Sequence, residues 1–220
     1  MKTFKIWLVL LIVIILGTSF SLVQPPKSPI VILNHAGYVS HYNTTLKYPV
    51  EVEWWATKSR LVCPDTKVPR KDEFAQDPLL PNETDLADDY KGSGFDRGHM
   101  CPAADNQCNA DWQRECFYFS NMSPQYHSLN AGVWKTLEVR TRELASQLDS
   151  VRVWCGNVGN VAKIGEVAVP SKCWKVIYIK KTKVWEAYIF ENTKDQTKKL
   201  DQLAVKVSDV EKLTGFKFKP

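Results

Sequence analysis

Four histidines occur in the 220 residues, and His99 has the neighbours best suited to chemistry. It stands in the run Gly92-Ser93-Gly94-Phe95-Asp96-Arg97-Gly98-His99-Met100-Cys101-Pro102. Three glycines around an Asp, an Arg and a His imply unusual backbone geometry or a close approach to a ligand. Alternate residues of an extended strand share a face, so Arg97 and His99 point the same way. A fixed cation is thereby paired with a group that titrates near neutrality. A lone histidine is as a rule structural; Arg97 moves this one towards function.

A second group begins at Asn121-Met122-Ser123-Pro124-Gln125 and runs on to Leu129-Asn130-Ala131-Gly132-Val133-Trp134. Asn130, Trp134, Glu138 and Arg142 recur every four residues, which keeps them on one broad side of a helix. Asn130, at the mouth of that helix, reads either as an N-cap or as an oxygen ligand for a hard cation such as Mg²⁺. Glu138 and Arg142 read either as a surface ion pair one turn apart or as members of a site.

The run DRGHMCPAAD, followed by SNMSPQ and LNAGVWKTLE, resembles the non-specific DNA/RNA endonuclease family with the ββα-metal active site. Gly37 to Asn43, Arg70 to Phe74 and Asp89 to Gly94 are similar to that family upstream, and Gly165 to Pro170 and Trp174 to Val176 downstream. The resemblance spans residues 34–190. It implies His99 as general base and Asn130 as the sole direct protein ligand of Mg²⁺ or Mn²⁺, with Glu138 holding metal-bound waters. It further implies Arg97, Arg70 and Arg142 near the scissile phosphate, and Asn121 as a support for the site. Asp96 reads as structural, orienting its neighbours. DNA and RNA are the implied substrates, with 5′-phosphate products and no small-molecule cofactor. Two features depart from the family pattern: Cys101, Cys108 and Cys116 lie close to the site in sequence, and so does the acidic group Asp85, Asp88 and Asp89.

The elements that must position these residues read as α+β: a mainly antiparallel sheet, the ββα-metal motif and one long helix. Ile30 to Leu33, Tyr38 to Tyr42, Val50 to Thr57, Val151 to Cys155, Trp174 to Lys180 and Val184 to Phe190 have strand composition, and Cys116 to Ser120 reads as a short aromatic strand. Cys63 to Tyr90 reads as a long loop, of the kind that often lies beside a functional site. Leu129, Val133, Leu137, Leu144 and Leu148 mark the buried stripe of a helix from 129 to 148. Ser208 and Glu211 form a capping-box pattern with Gly215 as the stop of a short terminal helix.

Lys2 and Lys5, the apolar run Ile6 to Leu16 and the small residues Gly17 to Ser21 describe a signal peptide over 1–21, or, uncleaved, a membrane anchor. Residues 22–29 read as a linker and 30–220 as the nuclease domain. The protein is expected to be exported, secreted or periplasmic, with membrane attachment only if the leader is retained; a homodimer is possible. Six cysteines fit an oxidising compartment, and the lack of a Cys-x-x-Cys pair speaks against structural zinc. Cys155 with Cys173 is the preferred pairing among fifteen, as both sit at the ends of expected neighbouring strands. The formal charge of +5 gathers late in the chain, where residues 172–220 carry twelve lysines against six acids. That surface either attracts a polyanion or is merely solvated. The alternative function is an exported nucleic-acid or polyanion binding module that does not cleave.

Overall fold

The computed structural model describes residues 29–220. The expected leader at 1–21, and the linker up to residue 28, lie outside the described residues. Along the chain come strands β1 (Ile30–Asn34), β2 (Val39–Asn43) and β3 (Tyr48–Thr57), then helices α1 (Lys58–Leu61) and α2 (Ala87–Tyr90) and strand β4 (Asp96–His99). Helix α3 (Ala110–Glu115) and strand β5 (Met122–Gln125) precede a wide helical turn (Leu129–Trp134) and the long helix α4 (Lys135–Leu148). The remainder is β6 (Ser150–Val158), β7 (Ala162–Ile164), β8 (Val167–Val169), β9 (Lys172–Ile179), β10 (Val184–Glu191), β11 (Ala204–Val205) and α5 (Val207–Thr214).

Seven strands form one antiparallel sheet in the order β1-β2-β3-β6-β9-β10-β11. Side chains alternate across such a sheet, and both faces are covered. Val52, Trp54, Ala56, Val151, Val153 and Ile177 pack on one side with Leu129, Trp134, Leu137 and Ala145 of the helical layer. Trp154, Trp174, Val176 and Tyr178 pack on the other with Val210 of α5 and Phe218. Leu137 is fully buried; burying a side chain of this size contributes about 1.5–3 kcal/mol. Among the described residues no helix is long and apolar enough to cross a membrane.

The α+β expectation and the main strands match this architecture. The helix at 129–148 is two segments: Gly132 leaves helical geometry (φ −95°, ψ −119°) inside a wide turn, and regular α-helix starts at Lys135. Cys116 to Ser120 is not a strand. Its aromatic side chains are inward-facing on turns that close into a single 3₁₀ turn at Phe119–Asn121. The Ser208–Glu211 box is displaced, because helix α5 begins at Val207, putting Ser208 inside it, and Asp209 accepts from the Lys206 N–H. Gly215 does end that helix, at φ 78°.

The expected Cys155–Cys173 disulfide is absent. Both thiols are free and buried, and the register sets Cys155 opposite Lys175 and Cys173 opposite Asn157, so the two are never cross-strand partners. The disulfide joins Cys63 to Cys108. It ties the long loop after α1 to the segment just past β4, and a second tie runs from the Val68 N–H to the Gln107 carbonyl at 2.8 Å.

Candidate active site

Strands β4 and β5 pair antiparallel, with Asp96 opposite Gln125 and His99 opposite Met122. Gly98 makes this approach possible: a Cβ there would lie 2.2 Å from Gln125 Oε1. Asn121 locks the far end of β4. Its Oδ1 accepts from the Cys101 N–H at 2.9 Å, and its Nδ2 donates to the carbonyls of Cys101 and Cys116. The turn carrying Asn130 then crosses β4, and Trp134 Nε1 donates to the His99 carbonyl at 3.2 Å. Helix and strand are thus joined at the histidine itself.

These contacts frame a cleft of about 290 Å³ lined by Arg70, Phe74, Arg97, His99, Asn130, Lys135, Glu138 and Arg142, among others. Six of the eight residues singled out from the sequence therefore meet in one cavity, although Arg70 and Arg142 are 72 positions apart. Asp96 and Asn121 stand behind it as supports. Asp96 Oδ2 accepts from Asn130 Nδ2 at 2.9 Å and lies 2.8 Å from His127 Nδ1. Asn130 is no N-cap, since the turn has no side-chain cap. Its amide nitrogen is held by Asp96, leaving its carbonyl oxygen as the free donor atom.

Nor do Glu138 and Arg142 form the surface pair: Arg142 Nη1 instead binds buried Asp105 Oδ1 at 3.2 Å. Asp105 also accepts from Trp54 Nε1, and its carbonyl from Arg60 Nε. Arg97 lies with its guanidinium 4.9 Å from the centre of the Phe74 ring. None of Asp85, Asp88 and Asp89 lines the cleft, whose wall carries four cations and one carboxylate. Cys101 and Cys116 are buried free thiols, with burial pushing Cys101 up to about 12, so neither is a nucleophile at neutral pH.

Burial, and then the nearby Arg70 charge, push the His99 imidazole down to about 3. Its Nε2 is buried with no hydrogen-bond partner. An unprotonated, unpartnered ring nitrogen is an acceptor in waiting. Burial raises Glu138, and Lys175 opposes that rise most strongly. Lys175, Trp134 and Asp105 are residues that sequence reasoning gave no role. Lys175 is 1% exposed, with Nζ 4.0 Å from the centre of the Trp134 ring. The signal for it was a lysine flanked on both sides by apolar residues in the middle of a strand.

Among the described residues no group of three or more His, Cys, Asp or Glu gathers that would hold a metal ion. The available donors are one amide oxygen and one nearby carboxylate. Mg²⁺ suits such a sparse set, because it commonly retains several waters.

A mixed sheet-and-helix fold with a cationic cleft around a histidine is an arrangement suited to phosphodiester substrates, and the comparisons make the class specific. The family model for DNA/RNA non-specific endonuclease matches residues 18–220, and the chain belongs to that family. Homologous enzymes include the mitochondrial nuclease EXOG of Xenopus laevis, 32% identical over 67% of this chain and 47% of that protein. The nuclease of Serratia marcescens is 30% identical over 86% of this chain and 74% of its own length. A crystal structure of the EndoG/EndoGI complex superposes with a TM-score of 0.77 at 28% identity, covering 85% of this chain and 84% of the matched one. The chain spans about half the length of the mitochondrial EXOG proteins it matches.

Proposed function

We propose that residues 30–220 form one nuclease domain that hydrolyses phosphodiester bonds of DNA and RNA, with His99 as general base and Asn130 as the protein ligand of a Mg²⁺ or Mn²⁺ ion. The observation that carries this reading is the convergence of His99, Asn130 and Glu138 on one cleft rimmed by Arg70, Arg97, Lys135 and Arg142. Strands β4 and β5 with the following helix make the ββα unit on this account. A bound divalent cation would supply Lewis acidity at the phosphoryl oxygens and stabilise the leaving 3′ oxygen.

The protein's own groups do the rest. His99 Nε2 takes a proton from the attacking water. Burial above all keeps the ring a weak base, and Arg70, itself paired with Asp72 at 2.7 Å, adds to it; a substrate phosphate beside Arg70 favours the protonated ring. Arg97 neutralises charge on the phosphoryl group as the transition state forms. Glu138 accepts hydrogen bonds from waters in the cleft, and Lys175 behind it favours the carboxylate. Asn130, held by Asp96, presents a neutral oxygen that leaves the cation's charge available to the substrate.

Export fits the apolar leader and a half-buried Cys63–Cys108 disulfide, a bond that persists in oxidising compartments. The test is digestion of plasmid DNA and of RNA by the full chain with Mg²⁺, then with EDTA. Cleavage abolished by EDTA supports the reading; intact nucleic acid under every divalent metal refutes it.

A further inference from the structure

Cross-strand register sets four side chains in a row on the sheet face turned away from α4. Trp55 of β3 lies opposite Arg152 of β6, Arg152 opposite Tyr178 of β9, and Tyr178 opposite Trp185 of β10. Trp55, Arg152 and Trp185 are half-buried. The Arg152 guanidinium is 5.7 Å from the centre of the Trp55 ring and 4.8 Å from that of Trp154, which stacks on Trp185 at 5.7 Å. Lys180 opens the β9–β10 turn with its Nζ 5.7 Å from the Trp55 centre, and Lys181 and Lys183 follow it, all three exposed. Glu53 pairs with Arg152 at 2.8 Å, and the turn lysines outnumber it.

Strand β2 stops pairing at Val39, opposite Glu53, so among the described residues β3 has no neighbouring strand on that side from Trp54 to Thr57. A groove of about 290 Å³ wraps this edge, lined by Trp54 and Arg60 on the helical side and by Trp55 and Arg152 on the other. Arg60 Nε donates to the Asp105 carbonyl, and the Asp105 carboxylate holds Arg142 of the catalytic cleft. Cations thus line a way from the cleft, round one strand edge, to the aromatic row.

We infer that the row is a second binding site for single-stranded nucleic acid, taking the part of a long strand that lies beyond the catalytic cleft; this rests on the proposed nuclease reading. Aromatic rings interleaved with cations hold single strands because every base has a flat face, so stacking tolerates any sequence. Such a site suits a non-specific endonuclease, which has no base edge to read. Bases stack on the half-buried rings of Trp55 and Trp185, and backbone phosphates meet Lys180 and the lysines that follow it. The lysine-rich end of the sequence thereby has one defined place of contact with a polyanion. An acidic protein would match the lysines but would leave the two tryptophan faces without flat partners.

The test uses the full chain carrying His99→Ala, so that binding is read without cleavage. Labelled oligothymidylates of about four and about twenty nucleotides, which bracket the site sizes of single-strand binding folds, are titrated by fluorescence anisotropy in Mg²⁺. The long strand is expected to bind at least tenfold more tightly than the short one. Adding Trp55→Ala weakens long-strand binding by about tenfold, the loss of one stacked base. Lys180→Gln, an exposed change that leaves folding intact, weakens it too and reduces its salt slope by about 0.7. Equal affinity for both lengths, or long-strand binding that neither substitution alters, overturns the inference. So does a dimer, seen by sedimentation without nucleic acid, that both substitutions dissolve while binding stays unchanged, since a second copy of the chain then covers the face. Plasmid cleavage by the chain with His99 intact is a separate readout, so a failure of the nuclease reading is distinguishable from a failure of the second site.

Discussion

Asn130 Nδ2 and Asp96 Oδ2 are 2.9 Å apart, a hydrogen bond that spans 34 positions and fixes the proposed metal ligand from the first residue of the proposed catalytic strand. Without it the Asn130 amide is free to rotate. Asp96→Ala is therefore expected to raise the Mg²⁺ concentration for half-maximal cleavage by about 10–100-fold, the usual effect of losing a residue that orients a ligand. The measurement is a Mg²⁺ titration of initial rates; an unchanged midpoint with a lowered plateau would assign Asp96 some other role.

Asn121 is fully buried and joins the Cys101 N–H to the carbonyls of Cys101 and Cys116. Asn121→Ala leaves those three groups unpartnered inside the protein. The expected loss is about 3 kcal/mol of stability, read from urea unfolding. A change below about 0.5 kcal/mol, the range of an ordinary surface substitution, would mean that water or backbone movement replaces the side chain.

Glu51 is 7% exposed, and burial, then Glu53, push its carboxyl up to about 7. Its folded value lies above its unfolded one, so the folded state holds the proton more tightly. That contribution is complete below the unfolded value of about 4.5 and is lost as pH rises through 7. The difference amounts to about 3 kcal/mol. Glu51→Gln, which imitates the neutral form, should leave melting unchanged near pH 4.5 and raise it by several degrees at pH 8. Equal melting temperatures at pH 8 would show that Arg152 compensates the charge fully.

The Cys63–Cys108 disulfide closes a loop of 45 positions that contains Arg70. Loop-closure entropy puts its contribution at about 4 kcal/mol at most. Replacing both cysteines by serine should lower the unfolding free energy towards that amount. In the unreduced protein, the buried thiols of Cys101, Cys116, Cys155 and Cys173 should react with a thiol reagent only after denaturation. A disulfide-linked Cys155–Cys173 peptide in an unreduced digest would contradict the pairing.

Runs rich in Val, Ile, Tyr and Trp exposed the main strands, and the Arg97–Gly98–His99 run does lie on a strand. Six of the candidate site residues lie in two short runs, 96–99 and 130–142, whose spacing could be read directly; Arg70 and Asn121 lie outside them and came only with the family resemblance. What the sequence concealed depends on distant partners. Asp105 captures Arg142 across 37 positions, so an i,i+4 rule could not find it. Cys63 and Cys108 meet only because the long loop folds back over β4, and no spacing records that. The break at Gly132 was equally hidden, since the leucine stripe continues through it.

The central claim is that His99 does the chemistry while Asn130 holds the cation. His99→Ala tests it most directly in a plasmid-nicking assay, paired with Mn²⁺ binding followed by electron paramagnetic resonance. The account predicts a fall in cleavage rate of about 10²–10⁴-fold, with the Mn²⁺ affinity of the wild-type chain retained. Cleavage within about twofold of wild type, a change too small for removal of a general base, would contradict it.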